Sequence, residues 1–367
     1  MKVLYIGYYK ENSDWGTLAV NNILALESAG VDVVCRPIIF SNNETPIKIK
    51  DLEKKSTEGC DVCIQHVFPD HMVSSESFTK NIAILSNDFF EINHSCWVEK
   101  LNRMGEIWVP STAAAETLKA TPLSHKTTVV PFAIDIDLYK GQSSQNIEGG
   151  IESIGKFKFY TISDTDNNNI DRLLRCFHSE FDNTDDAVFA IQINSNNTKN
   201  LDERIARVKN SLGLNKDVLS YKRDIIVAKR DSAVNSFAMH SFGDCYISSL
   251  SQRTLNLEEI HAMGFGNTPI ISGGTDAVDY FGNKYAVDYI YTVNTEKSKI
   301  YPDVNNGRDY KILPCEKQLK AMMRRLYEEW KTNPILYKAK KRSEGLERLS
   351  TFSIENVGKI MKENINV

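Results

Sequence analysis

CYISSLSQRTLNLEEIHAMGFGNTPIISGG, Cys245 to Gly274, reads as strand, loop, helix, turn and strand. Cys245-Tyr246-Ile247 is a short apolar strand and Ser248 to Thr254 a polar loop. Asn256 stands where a helix N-cap is expected, with Glu258 and Glu259 in the first turn. Ile260, Met263 and Phe265 fit the buried side of a short helix that Gly266-Asn267 ends. Pro269-Ile270-Ile271 then opens a second buried strand, which breaks at Ser272-Gly273-Gly274. A helix N-terminus and a Gly-Gly turn at the carboxyl end of a parallel strand are where α/β sheets hold phosphates, because bare backbone N–H groups can approach an anion there. The same pattern also fits an ordinary crossover unit with a glycine turn and no ligand.

The rest of the chain repeats this alternation. Val3 to Gly7 is an apolar run followed by a polar loop, then a helix opened by Trp15-Gly16 with Leu18, Ile23, Leu24 and Leu26 on its apolar face. Strand-like runs recur at Val31–Cys35, Cys60–Phe68, Asn81–Asp88, Glu106–Ser111 and Thr127–Phe132. Between Ile136 and Gly155 hydrophobicity falls and Gly, Ser, Gln and Asn accumulate, which marks a linker. A second series follows at Phe157–Ser163, Ala187–Asn194, Val218–Tyr221, Asp244–Ser249 and Thr268–Ser272, with a helix over Ile170–Phe181. Apolar runs alternating with helices predict an α/β chain of two Rossmann-like, doubly wound domains facing a central cleft. The expected domains are residues 1–145, 146–335 and a C-terminal segment, 336–367. Over Lys317–Val367, which reads as helical and amphipathic, Leu319, Met322, Met323, Leu326 and Trp330 recur at helical spacing, where methionine reads as core.

Composition narrows the class. With 41% hydrophobic and 25% charged residues the 367-residue chain reads as globular, and a formal net charge of −4 supplies no overall field for nucleic acid. Seven scattered cysteines give no zinc spacing; Cys60-x-x-Cys63 has no second pair, so free thiols in a reducing cytoplasm are expected. The opening MKVLYIGYY runs directly into a strand, and no apolar run reaches the length of a membrane span.

AMGFGNTPIISGG (Ala262–Gly274) followed by DAVDYF (Asp276–Phe281) resembles the donor-binding region of family 4 (group 1) glycosyltransferases of the GT-B fold. That family usually carries a glutamate, seven residues, a second glutamate, then Ala-Met and a Gly-x-Pro turn. Here His261 occupies the second acidic position and Arg253 the first, while Glu258 lies one helical turn before His261 and shares nearly its face. Ser13–Val33, Trp97–Leu118, Thr128–Tyr139 and Phe159–Phe181 also resemble family segments, in the family's order. The resemblance further implies that the last helices cross back onto the N-terminal domain. A departure follows the strand Phe157–Ser163: the usual Arg and Lys near the next helix are replaced by Asp164-Thr165-Asp166-Asn167-Asn168-Asn169. Charge on a departing diphosphate needs fixed donors. Candidates are Arg253, the Lys222-Arg223 pair and the Gly273-Gly274 backbone.

The resemblance implies a retaining hexosyl- or pentosyltransferase that takes a nucleotide-diphosphate sugar, needs no metal or cofactor, and works in the cytoplasm of a bacterial or virus-infected cell. Its acceptor is open among a glycan, a lipid-linked sugar, a protein and modified DNA. His66, Arg253 and Asp88 are the catalytic candidates. Gly16, Ser163, Asp164, Arg223, Asn256, Glu258, His261, Gly273 and Gly274 are placed on the donor, and Trp15 and Glu91 on the acceptor side. Two alternatives stand beside this reading: a degenerate, non-catalytic binding subunit, and a phage-type enzyme that glycosylates modified DNA bases. Dinucleotide oxidoreduction lacks a G-x-G-x-x-G after any strand.

Overall fold

The computed structural model describes residues 1–40, 43–86, 96–141, 154–163, 169–193, 199–213, 225–229, 236–248, 253–293 and 310–366. They form two compact units, one drawn from Met1–Asp137 and Leu349–Val367, the other from Leu138–Thr292 and Lys311–Arg348.

The first unit runs β1 (Lys2–Gly7), α1 (Asp14–Ser28), β2 (Asp32–Pro37), α2 (Lys50–Lys54), β3 (Val62–His66), β4 (Lys80–Ile84), α3 (Trp97–Asn102), β5 (Glu106–Val109), α4 (Thr112–Leu118) and β6 (Thr127–Val129). Its strands form one parallel sheet in the order β2-β1-β3-β4-β5-β6. All five residues of β3 are buried, as a strand covered on both faces requires. Ser13 caps α1 through its hydroxyl, which accepts the Gly16 N–H at 3.2 Å. The chain past β6 is tied to α1 by two buried asparagines: Asn21 donates to the Ala133 carbonyl at 3.0 Å, and Asn22 accepts the Ala133 N–H at 3.1 Å.

The second unit continues with β7 (Phe157–Ser163), α5 (Asn169–Glu180), β8 (Ala187–Ile193), α6 (Lys199–Ser211), β9 (Ile225–Lys229), α7 (Ser236–Phe242), β10 (Cys245–Ile247), α8 (Leu257–Gly264), β11 (Thr268–Ser272), α9 (Ala277–Phe281) and β12 (Ala286–Val287). The order β12-β11-β10-β7-β8-β9, all parallel, is the dinucleotide-fold order read from its other edge. A pair of strands, β13 (Tyr289–Val293) and β14 (Tyr310–Pro314), stands apart from it, and α10 (Glu316–Thr332) and α11 (Pro334–Ser350) follow. The helical period of α5 holds, with Ile170, Leu173, Leu174 and Phe177 buried against the sheet. Met323 joins the same core and Met322 packs on it. The expected strand Val218–Tyr221 lies outside the described residues; the edge of the sheet is β9, which the sequence reading did not separate.

The final helix, α12 (Ile354–Asn366), packs on α1 at a point where only glycine fits. A Cβ on Gly358 would lie 2.1 Å from the Ala25 carbonyl oxygen. Gly358→Val is therefore expected to destabilise the first unit by about 2 kcal/mol or more, the scale of overpacking a close helix contact. Urea unfolding checks this, and an unchanged midpoint would show that the two helices separate without penalty.

Candidate functional site

Each sheet has a switch point where successive connections leave in opposite directions, between β1 and β3 in the first unit and between β7 and β10 in the second. Ligands of open α/β sheets bind beyond the carboxyl ends of the strands at such points. His66 is the last residue of β3 and lies opposite Gly7, the last of β1, so the chain places it at the first switch point. Its ring is buried and stacked between Trp15 and Phe132, with centroids 5.3 Å away on both sides. The Tyr5 hydroxyl is 2.9 Å from Nδ1, while the buried Nε2 has no hydrogen-bond partner among the described residues. Burial lowers the imidazole pKa to about 3, so the ring is neutral. A neutral ring whose Nδ1 accepts from Tyr5 carries its proton on Nε2, which makes it a hydrogen-bond donor rather than a proton shuttle near neutral pH.

Trp15 and Gly16 sit beside this histidine for different reasons. Trp15 stacks on Phe68 at 4.6 Å as well as on His66. Gly16 is required by close approach: a Cβ there would lie 2.0 Å from the Glu11 carbonyl oxygen, and its N–H already meets Ser13. Tyr8, Phe40 and His71 extend the aromatic patch, with Phe40 largely exposed. Asp88 and Glu91 lie outside the described residues.

In the second unit Ser163, buried, ends β7, and Ile247 ends β10 on the other side of the switch point. Asp164, Lys222 and Arg223 lie outside the described residues. Asn256 caps α8 as its position suggested, its side chain accepting the Glu258 N–H at 2.9 Å. The Glu258 carboxylate is held from behind: its Oε2 is 2.7 Å from Nε2 of His240, a fully buried residue of α7. The other ring nitrogen, Nδ1, is 2.6 Å from the Tyr160 hydroxyl. Asn267 donates to that hydroxyl at 2.8 Å and to the His240 carbonyl at 2.7 Å. Because Asn267 donates to Tyr160, the tyrosine proton goes to Nδ1, and Nε2–H is left to donate to Glu258. Burial, with the Lys338 charge adding to it, lowers His240 to about 3, so this is a neutral relay ending on a carboxylate.

His261, which stands in the position of the second acid of the family the sequence resembles, has its Nδ1 2.9 Å from the Tyr139 hydroxyl. Burial first, then the nearby His240, lowers its pKa to about 4, with Glu258 acting the other way. The glycines of the turn also have a packing role. Gly273 donates its N–H to the Val287 carbonyl at 2.9 Å, so that donor is already engaged. Gly274 lies on the Tyr289 ring, where a Cβ would come within 2.6 Å of the ring. The Asp276 N–H reaches back to the Arg253 carbonyl at 2.8 Å, so the structure brings Arg253 to the turn twenty residues later in the sequence. Tyr291 completes this cluster, its hydroxyl 3.2 Å from that of Tyr289.

His240, Tyr160, Tyr289 and Tyr291 were not singled out in the sequence. Only the alternating tyrosines of YIYTV offered a signal, since side chains at i and i+2 share a strand face. Among the described residues no cluster of His, Cys, Asp and Glu could hold a metal ion, all seven cysteines are free, and no helix is long and apolar enough to cross a membrane.

No protein-family model matches the sequence, and no curated protein matches it. Solved structures do. HepE from Anabaena in complex with UDP is similar over 100% of both chains, at 12% identity and a TM-score of 0.61. Sucrose-phosphate synthase from Thermosynechococcus elongatus is similar over 100% of this chain and 98% of its own, at 10% identity and a TM-score of 0.59. A trehalose-6-phosphate synthase studied for glycosyl transfer with retention is similar over 100% and 99%, at 9% identity and a TM-score of 0.58. Identities this low define the fold: the chain has the GT-B fold, two Rossmann-like units in one polypeptide.

Proposed function

We propose that this chain is a glycosyltransferase that moves a hexosyl or pentosyl group from a nucleotide-diphosphate sugar to an acceptor, with retention and without a metal. The observation that carries the reading is the end-to-end likeness to structures that hold UDP or UDP-glucose, HepE among them. Local geometry supports it. At the carboxyl end of the second sheet Asn256 caps α8, Glu258 offers a fixed carboxylate for ribose hydroxyls, and Arg253 stands by the Gly273-Gly274 turn where a diphosphate would need charge. In the first unit the neutral His66 is the group for a donor-sugar hydroxyl. Retention is the outcome studied in the trehalose-6-phosphate synthase relative.

UDP is expected to raise the melting temperature, by the equivalent of about 2.7 kcal/mol of stability at a hundredfold excess over Kd. UDP-glucose is expected to release UDP in the presence of an acceptor. A glycan, a lipid-linked sugar, a protein and modified DNA are the acceptors to assay. A second reading rests on the replacement of both family acids by Arg253 and His261: a non-catalytic binding subunit. Tight UDP binding without UDP release from any sugar donor would select it, and absence of binding to any nucleotide would overturn the transferase reading.

A further inference from the structure

We propose that His240 is a positioning residue: from the interior of the second unit it fixes the Glu258 carboxylate in the orientation from which it accepts hydrogen bonds from the ribose hydroxyls of the donor. This rests on the proposed function and adds to it a residue on a different helix, which touches no ligand.

Glu258 is the second residue of α8; its side chain remains about one-fifth exposed, and its Oε2 is held by His240. A glutamate that must be ordered when a ligand arrives loses side-chain entropy at that moment, and a carboxylate fixed beforehand does not. His240 is equipped to do the fixing. Its Nδ1 is held by Tyr160 at 2.6 Å and its ring stacks on Phe265, with centroids 5.8 Å apart and planes at 27°. Tyr160 is itself confined, because Gly243 approaches its ring so closely that a Cβ would lie 2.1 Å away. Asn267 closes the circuit by holding both the Tyr160 hydroxyl and the His240 carbonyl. The donor is also of the right charge. A protonated imidazole would form an ion pair with Glu258 and neutralise it, whereas a neutral Nε2–H leaves the carboxylate its full charge for ribose hydroxyls, which bond most strongly to charged acceptors.

The experiment compares the affinity of UDP with that of 2′,3′-dideoxyuridine diphosphate by titration calorimetry, in the wild type and in His240→Leu, His240→Gln and Tyr160→Phe. The wild type is expected to prefer UDP. His240→Leu should weaken UDP about tenfold or more, the worth of a hydrogen bond to a charged group, and leave the dideoxy analogue within about twofold. His240→Gln, whose side-chain amide can donate from near the place of Nε2, should recover most of the loss. Tyr160→Phe keeps the ring packing and frees the tautomer; it should lower the preference partway, and it carries the comparison if His240→Leu does not fold. Equal losses for both ligands, no loss for either, or a wild type without ribose preference would overturn the proposal while leaving the glycosyltransferase reading in place. A wild type that binds no nucleotide would overturn that reading, and this one with it.

Discussion

Lowering the pH from 7 to 5 is expected to remove about 2 kcal/mol of stability for each of His66, His240 and His261, by linkage to an unfolded-state pKa near 6.5. All three are held well below that value in the folded chain, at about 3, 3 and 4, chiefly because burial disfavours the charged ring. The sign follows directly. Above pH ~6.5 both states carry neutral rings and nothing is lost. Below it the unfolded chain takes up protons that the folded chain refuses, so stability falls by about 1.4 kcal/mol per pH unit per histidine until the folded pKa is reached. His66 lies in the first unit and the other two in the second, so the second unit should lose about twice as much. Against a typical domain stability of about 5–15 kcal/mol, about 4 kcal/mol is a large share. Urea midpoints at pH 7, 6 and 5 measure it, and His66→Gln should remove one proton's worth of the slope. Midpoints unchanged from pH 7 to 5 would show that the three rings ionise normally in the folded chain. The same shift carries a kinetic consequence: a turnover profile should show no break near pH 6.5 from His66.

What the sequence reveals and what it hides divide along a physical line. Strands covered on both faces are largely apolar, so the run that holds Val62–His66 announces itself although Gln65 and His66 belong to it, and a polar cap before an apolar helix face locates Asn256. The glycines at 16, 273 and 274 read in the sequence as sites of open N–H groups. The structure shows in addition close approaches to Glu11 and Tyr289, which a sequence cannot distinguish because both demand the absence of a Cβ. Partners distant along the chain were not legible at all. Tyr160 meets His240 eighty residues later, and both belong to hydrophobic patterns in which a tyrosine or histidine looks like filler. His261 shows the converse: its place in the family pattern suggested a donor contact, and its ring nitrogen meets Tyr139, 122 residues earlier. Asp88, Glu91, Asp164 and Arg223 lie outside the described residues, and their roles stay with the resemblance.

Arg253→Ala is expected to lower turnover by about a hundredfold or more, the effect of deleting one preorganised donor at a developing anion. The motive is electrostatic. The segment after β7 has Asp164 and asparagines where the family it resembles has Arg and Lys, so under the proposed transfer the leaving-group charge would be met elsewhere. The structure supplies position for Arg253: its carbonyl is fixed by the Asp276 N–H, immediately past the Gly273-Gly274 turn at the carboxyl end of β11. Burial and the Tyr289 neighbour push the Tyr291 hydroxyl up to about 12, and the Arg253 charge pulls it back. A guanidinium can grip two diphosphate oxygens at once, which a lysine cannot, so Arg253→Lys should recover only part of the activity. Affinity for UDP should fall less than turnover, because a contact that strengthens as the leaving group departs acts chiefly on the transition state. Tyr291→Phe separates two roles for the same arginine. If Arg253 serves mainly to order Tyr291, the phenylalanine variant should lose as much turnover as Arg253→Ala; if Arg253 meets the diphosphate itself, Tyr291→Phe should stay within a few-fold of wild type. Wild-type turnover in Arg253→Ala would remove this residue from the mechanism and leave the leaving-group charge to backbone donors at the turn or to the Lys222-Arg223 pair.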